Sequence, residues 1–287
     1  MNKKEYYLAV ASVALSAIIA AYAWFNPAET KVLKPDTAAL LSSEVLLPFV
    51  ELPIVWGNLG ARMIAAGVID RAKFEAIYAQ RGGLTDEEKQ ILEGETGKLK
   101  ITQENSGFIL NMLWALGLGN KNKILEKGPM MDLRYGGAEN FASTGGWAIA
   151  KGNTMDHYSR HEFIKLTLEQ QKLVEEVSKN IYRPCCDNPT YFPDCNHGMA
   201  MLGLLELMAS QVVNEQNMWK TALAVNSYWF PDTYLTIAQY FANRGIAWDK
   251  VNAEEVLGAS YSSAQGYQRI LAEVQPVQLQ GGGSCGV

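Results

Sequence analysis

The sequence predicts an all-α protein, a single irregular multi-helix bundle preceded by an N-terminal transmembrane or signal helix. Three observations carry that expectation. An uncharged apolar run follows Lys3 and Lys4, the rest of the chain moves through apolar stretches without sustained period-two alternation, and two of those stretches open with capping boxes. Of the 287 residues, 48% are hydrophobic and 19% charged, enough apolar mass for a packed core and unlike a disordered chain. The formal net charge is −5 and no stretch concentrates Lys and Arg, which argues against nucleic acid as a partner.

The run from Tyr6 to Phe25 has the length of a bilayer-crossing helix, and the lysines ahead of it orient the N-terminus toward the cytoplasm. The body is then expected outside the cytoplasm, on the periplasmic or extracellular face. Tyr6, Tyr7, Trp24 and Phe25 flank the run as in a retained anchor, whereas Ala21 and Ala23 offer a signal-peptidase motif, and cleavage there gives a secreted protein. The organisation read from composition is an anchor or signal over 1–25, a linker over 26–36, a helical domain over 37–274 and a flexible cysteine-bearing tail over 275–287.

Within the domain, Ala38 to Ala66 is apolar and interrupted at Pro48 and Pro53, and reads as two or three helices. Thr85 and Glu88 make a capping box for a helix through Leu92, and Gly107 to Leu118 reads as a buried helix ended by Gly119. Residues 121–156 are glycine-rich without periodicity and read as a long loop region. Thr167 and Gln170 form a second capping box, for a helix that stops before Pro184. His197 opens an apolar helix suited to the centre of a bundle, and three further helical stretches follow, divided at Pro231 and near Gly245. Their aromatic residues, from Trp219 to Phe241, read as core.

The chemistry is concentrated. All three histidines, His157, His161 and His197, and three of the four cysteines, Cys185, Cys186 and Cys195, fall within 41 residues. On a helix, His157 and His161 at i, i+4 share one face and can share one ion. Cys195 and His197 form Cys-x-His at a loop-to-helix junction, where the helix N-terminus favours the thiolate a metal requires. Cys185 and Cys186 bring further sulfur on a proline-stiffened loop. Sulfur with imidazole suits zinc or copper rather than an oxygen-seeking ion. Met199, Met201 and Met208 lie close by but read as core filling. Ser143 and Thr144 lack the strand-to-helix setting of a hydrolase nucleophile.

These residues support an extracytoplasmic, membrane-anchored protein that handles a soft metal ion, with Cys285 in GGGSCGV as a mobile thiol. Two alternatives use the same residues. In one the cysteines serve a thiol-disulfide oxidoreductase or another thiol-dependent enzyme, although a C-x-x-C pair is missing. In the other, Cys185 or Cys186 bonds to Cys195 as a structural disulfide in a non-catalytic envelope protein.

Overall fold

The computed structural model describes residues 35–277. The Tyr6–Phe25 segment and Cys285 lie outside them. Among the described residues, no helix is long and apolar enough to cross a membrane.

The described chain is mostly helical. It begins with α1 (Pro35–Val45), β1 (Val50–Gly57), α2 (Leu59–Ala66), α3 (Arg71–Ala79), α4 (Asp86–Glu93) and β2 (Thr96–Ile101). The strands are a correction to the all-helical expectation: β1 and β2 pair antiparallel in a two-stranded sheet that encloses α2 to α4 in sequence. Leu52, Ile54 and Trp56 alternate inward along β1. Pro53, which suggested a helix break, instead sits where the register shifts between Glu51 and Val55, a place where a missing backbone N–H costs no ladder bond.

The central pair follows. Helix α5 (Ser106–Gly119) is buried almost all round, as its uniformly apolar sequence requires. After it come α6 (Lys123–Lys127), short 3₁₀ turns, α7 (Ala142–Gly145), α8 (Leu168–Ser178) and α9 (Asn196–Ser210). Both capping boxes form as the sequence indicates: Thr85 and Glu88 close the start of α4, and Thr167 and Gln170 the start of α8. The chain ends in α10 (Glu215–Trp229), α11 (Pro231–Ala242), α12 (Ala253–Leu257), α13 (Ala259–Ser262) and α14 (Ala264–Leu271). Trp219, Tyr228, Trp229, Phe230, Tyr234 and Phe241 are buried there.

Helices α5 and α9 touch backbone to backbone at Gly117 and Gly203. A Cβ on Gly117 would stand 2.0 Å from the Met199 carbonyl oxygen, and one on Gly203 would stand 2.6 Å from that of Leu113. Three residues past Gly203, a single charge, Glu206, interrupts the apolar surface of α9. Glu206 is fully buried and accepts from Asn120 Nδ2 at 2.8 Å and from Asn122 Nδ2. Asn120 Oδ1 in turn accepts from the Ile164 amide at 2.8 Å, and Asn122 Oδ1 from Gln171 Nε2 at 3.1 Å, so the carboxyl ties α5, α8 and α9 together.

Two predictions follow from this core. By helix propensity alone, Gly203→Ala stabilises by about 1 kcal/mol. Because the new methyl meets backbone, the expected result is a net loss of about 1–3 kcal/mol in denaturant unfolding. For Glu206, burial outweighs the two amide bonds and pushes the pKa from 4.5 up to about 8. The folded state therefore holds a proton that the unfolded state releases, and stability falls as pH rises from about 5 to 8. Glu206→Gln should flatten that slope in unfolding titrations; an unchanged slope assigns it to other groups.

Candidate metal centre

The loop between α8 and α9 folds back on itself before it enters α9. Thr190 N–H donates to the Ile181 carbonyl at 2.7 Å and Tyr191 N–H to that of Ser178 at 2.9 Å, and Tyr182 bridges to Pro189. Prolines 184, 189 and 193 restrict the intervening backbone. The loop is also held from outside: the Ala264 amide donates to the Cys186 carbonyl at 3.0 Å and the Gln265 amide to Asp187 Oδ1 at 2.8 Å. This double closure returns Cys185 and Cys186 to the mouth of α9, where Cys195 is the N-cap.

The three sulfurs form a triangle. Cys185 Sγ lies 3.7 Å from Cys195 Sγ and 4.0 Å from Cys186 Sγ, and all three fall within 4.8 Å of one another. They are free thiols, with Cys185 exposed and the other two half-buried. Cys195 adopts extended backbone, and its Sγ accepts from the Gly198 amide at 3.4 Å, taking the place that a Ser or Asp oxygen commonly fills. Three cysteines so placed can hold a metal ion.

Beneath the triangle lies Arg183, whose guanidinium is fully buried. Its Nη2 donates to Asp194 Oδ1 at 2.7 Å, and Asn188 Nδ2 donates to the other carboxylate oxygen at 2.8 Å. Its Nε and Nη1 have no hydrogen-bond partner, and its charge acts on all three sulfurs. The guanidinium fits under the first turn of α9 because residue 198 is glycine; a Cβ there would stand 2.7 Å from Arg183 Cζ.

These surroundings divide the thiols. Cys195 is held well below the ordinary thiol range, by hydrogen bonds from Cys185 and Cys186 and then, against burial, by Arg183 and a hydrogen bond from His197. Cys185 is pushed up because it donates to Cys186 and Cys195 and is partly desolvated. Cys186 is also raised: the bond from Cys185 favours its thiolate, but the bond it makes to Cys195 and its burial outweigh that. Within the cluster Cys195 is therefore the sulfur most disposed to ionise, with Cys185 and Cys186 as its hydrogen-bond donors.

The histidines separate from one another. His197 is buried in the first turn of α9, its ring tilted on Phe230 with centroids 4.4 Å apart and edge-on to Trp229. His157 and His161 pair without a helix, through a turn in which Ser159 has φ +51°. His157 Nδ1 lies 3.1 Å from His161 Nε2, and His157 Nε2 lies 2.8 Å from the Lys151 carbonyl oxygen. Because that carbonyl only accepts, Nε2 of His157 carries a proton, and in the neutral ring Nδ1 accepts from His161.

This pair does not join the sulfurs. His161 bridges to Asn120, which bonds Glu206, eleven residues beyond Cys195 and about 16 Å along the axis of α9. The expectation of a shared helical face therefore gives way to two separate constellations. Met199, Met201 and Met208 are fully buried, as are Ser143 and Thr144.

Sequence reasoning did not single out Arg183 or Gly198. The legible signal was local: an arginine directly before Pro184-Cys185-Cys186, and a glycine directly after His197. No family model, curated protein or solved structure matches this chain.

In the metal-free protein, Cys195 should ionise first. Thiolate absorbance followed against pH is expected to show one group titrating well below free cysteine, lost in Cys195→Ser and shifted upward in Arg183→Met. Equal titration of all three thiols would contradict the assignment.

Proposed function

We propose that this protein binds and passes on a soft metal ion, zinc or copper, at the Cys185, Cys186 and Cys195 triangle. The observation that carries this reading is the convergence of three sulfurs within bonding reach of one ion, with Cys195 already disposed to be a thiolate. Metal binding needs thiolates, and the positive surroundings supplied by Arg183 and the α9 N-terminus lower the cost of gathering them.

The distribution of reactivity favours ligation over thiol-disulfide exchange. A catalytic oxidoreductase presents its low-pKa thiolate to the outside. Here the exposed sulfur, Cys185, is the one whose proton is held, and the thiolate lies deeper. The arrangement suits an ion anchored by Cys195 and exchanged at the Cys185 side.

In this reading the apolar Tyr6–Phe25 segment tethers the protein to a membrane with its body outside the cytoplasm, and Cys285 supplies an additional exchanging thiol. Both parts rest on the sequence alone.

The test is direct. The full chain, purified anaerobically in mild detergent without affinity histidines, should carry about one equivalent of metal by elemental mass spectrometry, with thiols protected until a chelator is added. Cys195→Ser is expected to abolish stoichiometric binding. Cys185→Ser should keep a weakened site, at least tenfold poorer in affinity. Metal-free protein that takes up neither zinc nor copper overturns the proposal, and reversible oxidation of two cysteines in such protein points to the redox reading.

A further inference from the structure

The histidine pair that the fold separates from the sulfurs sits in a turn held at several backbone points. Ser159 N–H donates to the Leu118 carbonyl and His161 N–H to that of Gly119, both at 2.8 Å, and the His161 carbonyl accepts from Lys121 N–H at 2.8 Å, so the turn is clamped to the end of α5. Between the two rings Ser159 takes φ +51°, in the left-handed region, where a residue with a Cβ persists only when its surroundings hold it there. Ser159 Oγ adds to that hold by accepting from the Asn122 amide at 3.0 Å. The turn stacks the rings of His157 and His161 with centroids 5.3 Å apart.

The facing nitrogens are spaced as two ligands of one ion. His157 Nδ1 and His161 Nε2 lie 3.1 Å apart, and two imidazole nitrogens bonded at about 2.0–2.1 Å to a shared ion subtend about 100° at that spacing. The other nitrogen of His157 donates to the Lys151 carbonyl at 2.8 Å, and Lys151 is itself held by its amide on the Gly67 carbonyl at 2.9 Å. A carbonyl on one ring nitrogen fixes the tautomer that leaves the other free to ligate, as is usual for metal-binding histidines. Gly67, at φ +84°, gives the ring its room, since a Cβ there would stand 3.1 Å from His157 Cε1. A hydrogen bond between the rings accounts for the spacing but not for the turn, because one hydrogen bond does not outweigh the cost of a left-handed residue. His157 is buried and His161 half-exposed, so an ion reaches the pair from the His161 side.

From these features we infer a second metal site, in which His157 Nδ1 and His161 Nε2 bind one divalent transition ion and water completes its shell. Imidazole nitrogen selects an ion of the zinc, nickel or copper(II) class over calcium or magnesium, which take oxygen. The ion takes the place of the hydrogen between the rings. His161 moves its proton from Nε2 to Nδ1 through solvent, His157 keeps its own on Nε2, and no electron is transferred. The inference does not depend on the sulfur cluster, and each site can fail without the other.

The experiment uses the full chain in mild detergent, isotopically labelled at the histidine ring nitrogens and titrated anaerobically with Zn(II) alone. The chain has three histidines, so magnetic resonance follows each ring separately. Zinc is expected to shift His157 Nδ1 and His161 Nε2 with a second equivalent, bound roughly tenfold or more weakly than the first because two ligands hold it instead of three. His197, beside Cys195, reports on the sulfur cluster instead. Cys195→Ser should keep the shifts of the pair, and His161→Gln should abolish them while leaving the first equivalent bound. A pair that stays unmoved at millimolar zinc, or shifts that survive His161→Gln, overturns the inference and leaves the sulfur site standing. Shifts of the pair without any response from the cysteines or His197 support it and remove the sulfur reading.

Discussion

The glycine contact between α5 and α9 is the constraint on which the rest depends. Gly117 and Gly203 let two apolar helices meet at their backbones, closer than any side chain would allow. That closeness fixes α9 in position and direction, because a shift along the contact drives a neighbouring Cβ into a carbonyl. Once α9 is fixed, so is its N-terminus, and with it Cys195 and His197. At the other end, Glu206 locks α9 to α5 and α8 through amide side chains. A helix held at both its crossing and its far end makes a rigid mount for one sulfur.

A buried guanidinium under the first turn of a helix appears badly placed, since the helix end is itself positive. Asp194 compensates for one charge, and its removal would expose the cost of burying Arg183 unpaired. It does not compensate for the helix end as well. The remaining positive potential is relieved by the Cys195 thiolate, whose low pKa is therefore part of how this region reaches charge balance. Structure and chemistry are the same electrostatic arrangement here, and neither Arg183 nor Cys195 can be explained alone.

The legible parts of the sequence were those written in local patterns. Capping boxes at Thr85 and Thr167 act through residues three apart, and the apolar stretch of α5 announces its own burial. Cys195 and His197 were placed at a helix start by the loop-to-helix transition in their own neighbourhood. The strand β1 was hidden because Pro53 has two meanings, a helix breaker or a strand irregularity, and only the distant partner β2 decides between them. The histidine pair shows the converse. Its i, i+4 spacing invited a helix, yet backbone pairing of His161 with Asn120 bends the chain into a turn that still brings the rings together. Arg183 and Gly198 were obscure because their roles come from one fitting under the other, which no linear spacing encodes.

The three sulfurs differ in the stiffness of what carries them. Cys195 stands on α9 and cannot move without disturbing the core. Cys185 and Cys186 stand on a loop closed by a few backbone bonds and by the start of α14, with Cys185 facing solvent. A site with three rigid ligands would hold its ion but release it slowly, and one with three loose ligands would pay the ordering entropy at every binding event. One rigid thiolate with two adaptable neighbours lies between these limits. Under the proposed metal-handling function, Cys195 would keep an ion in place while an incoming thiolate replaces Cys185 at the exposed edge, so the gradient from helix to loop would set the direction in which an ion enters and leaves.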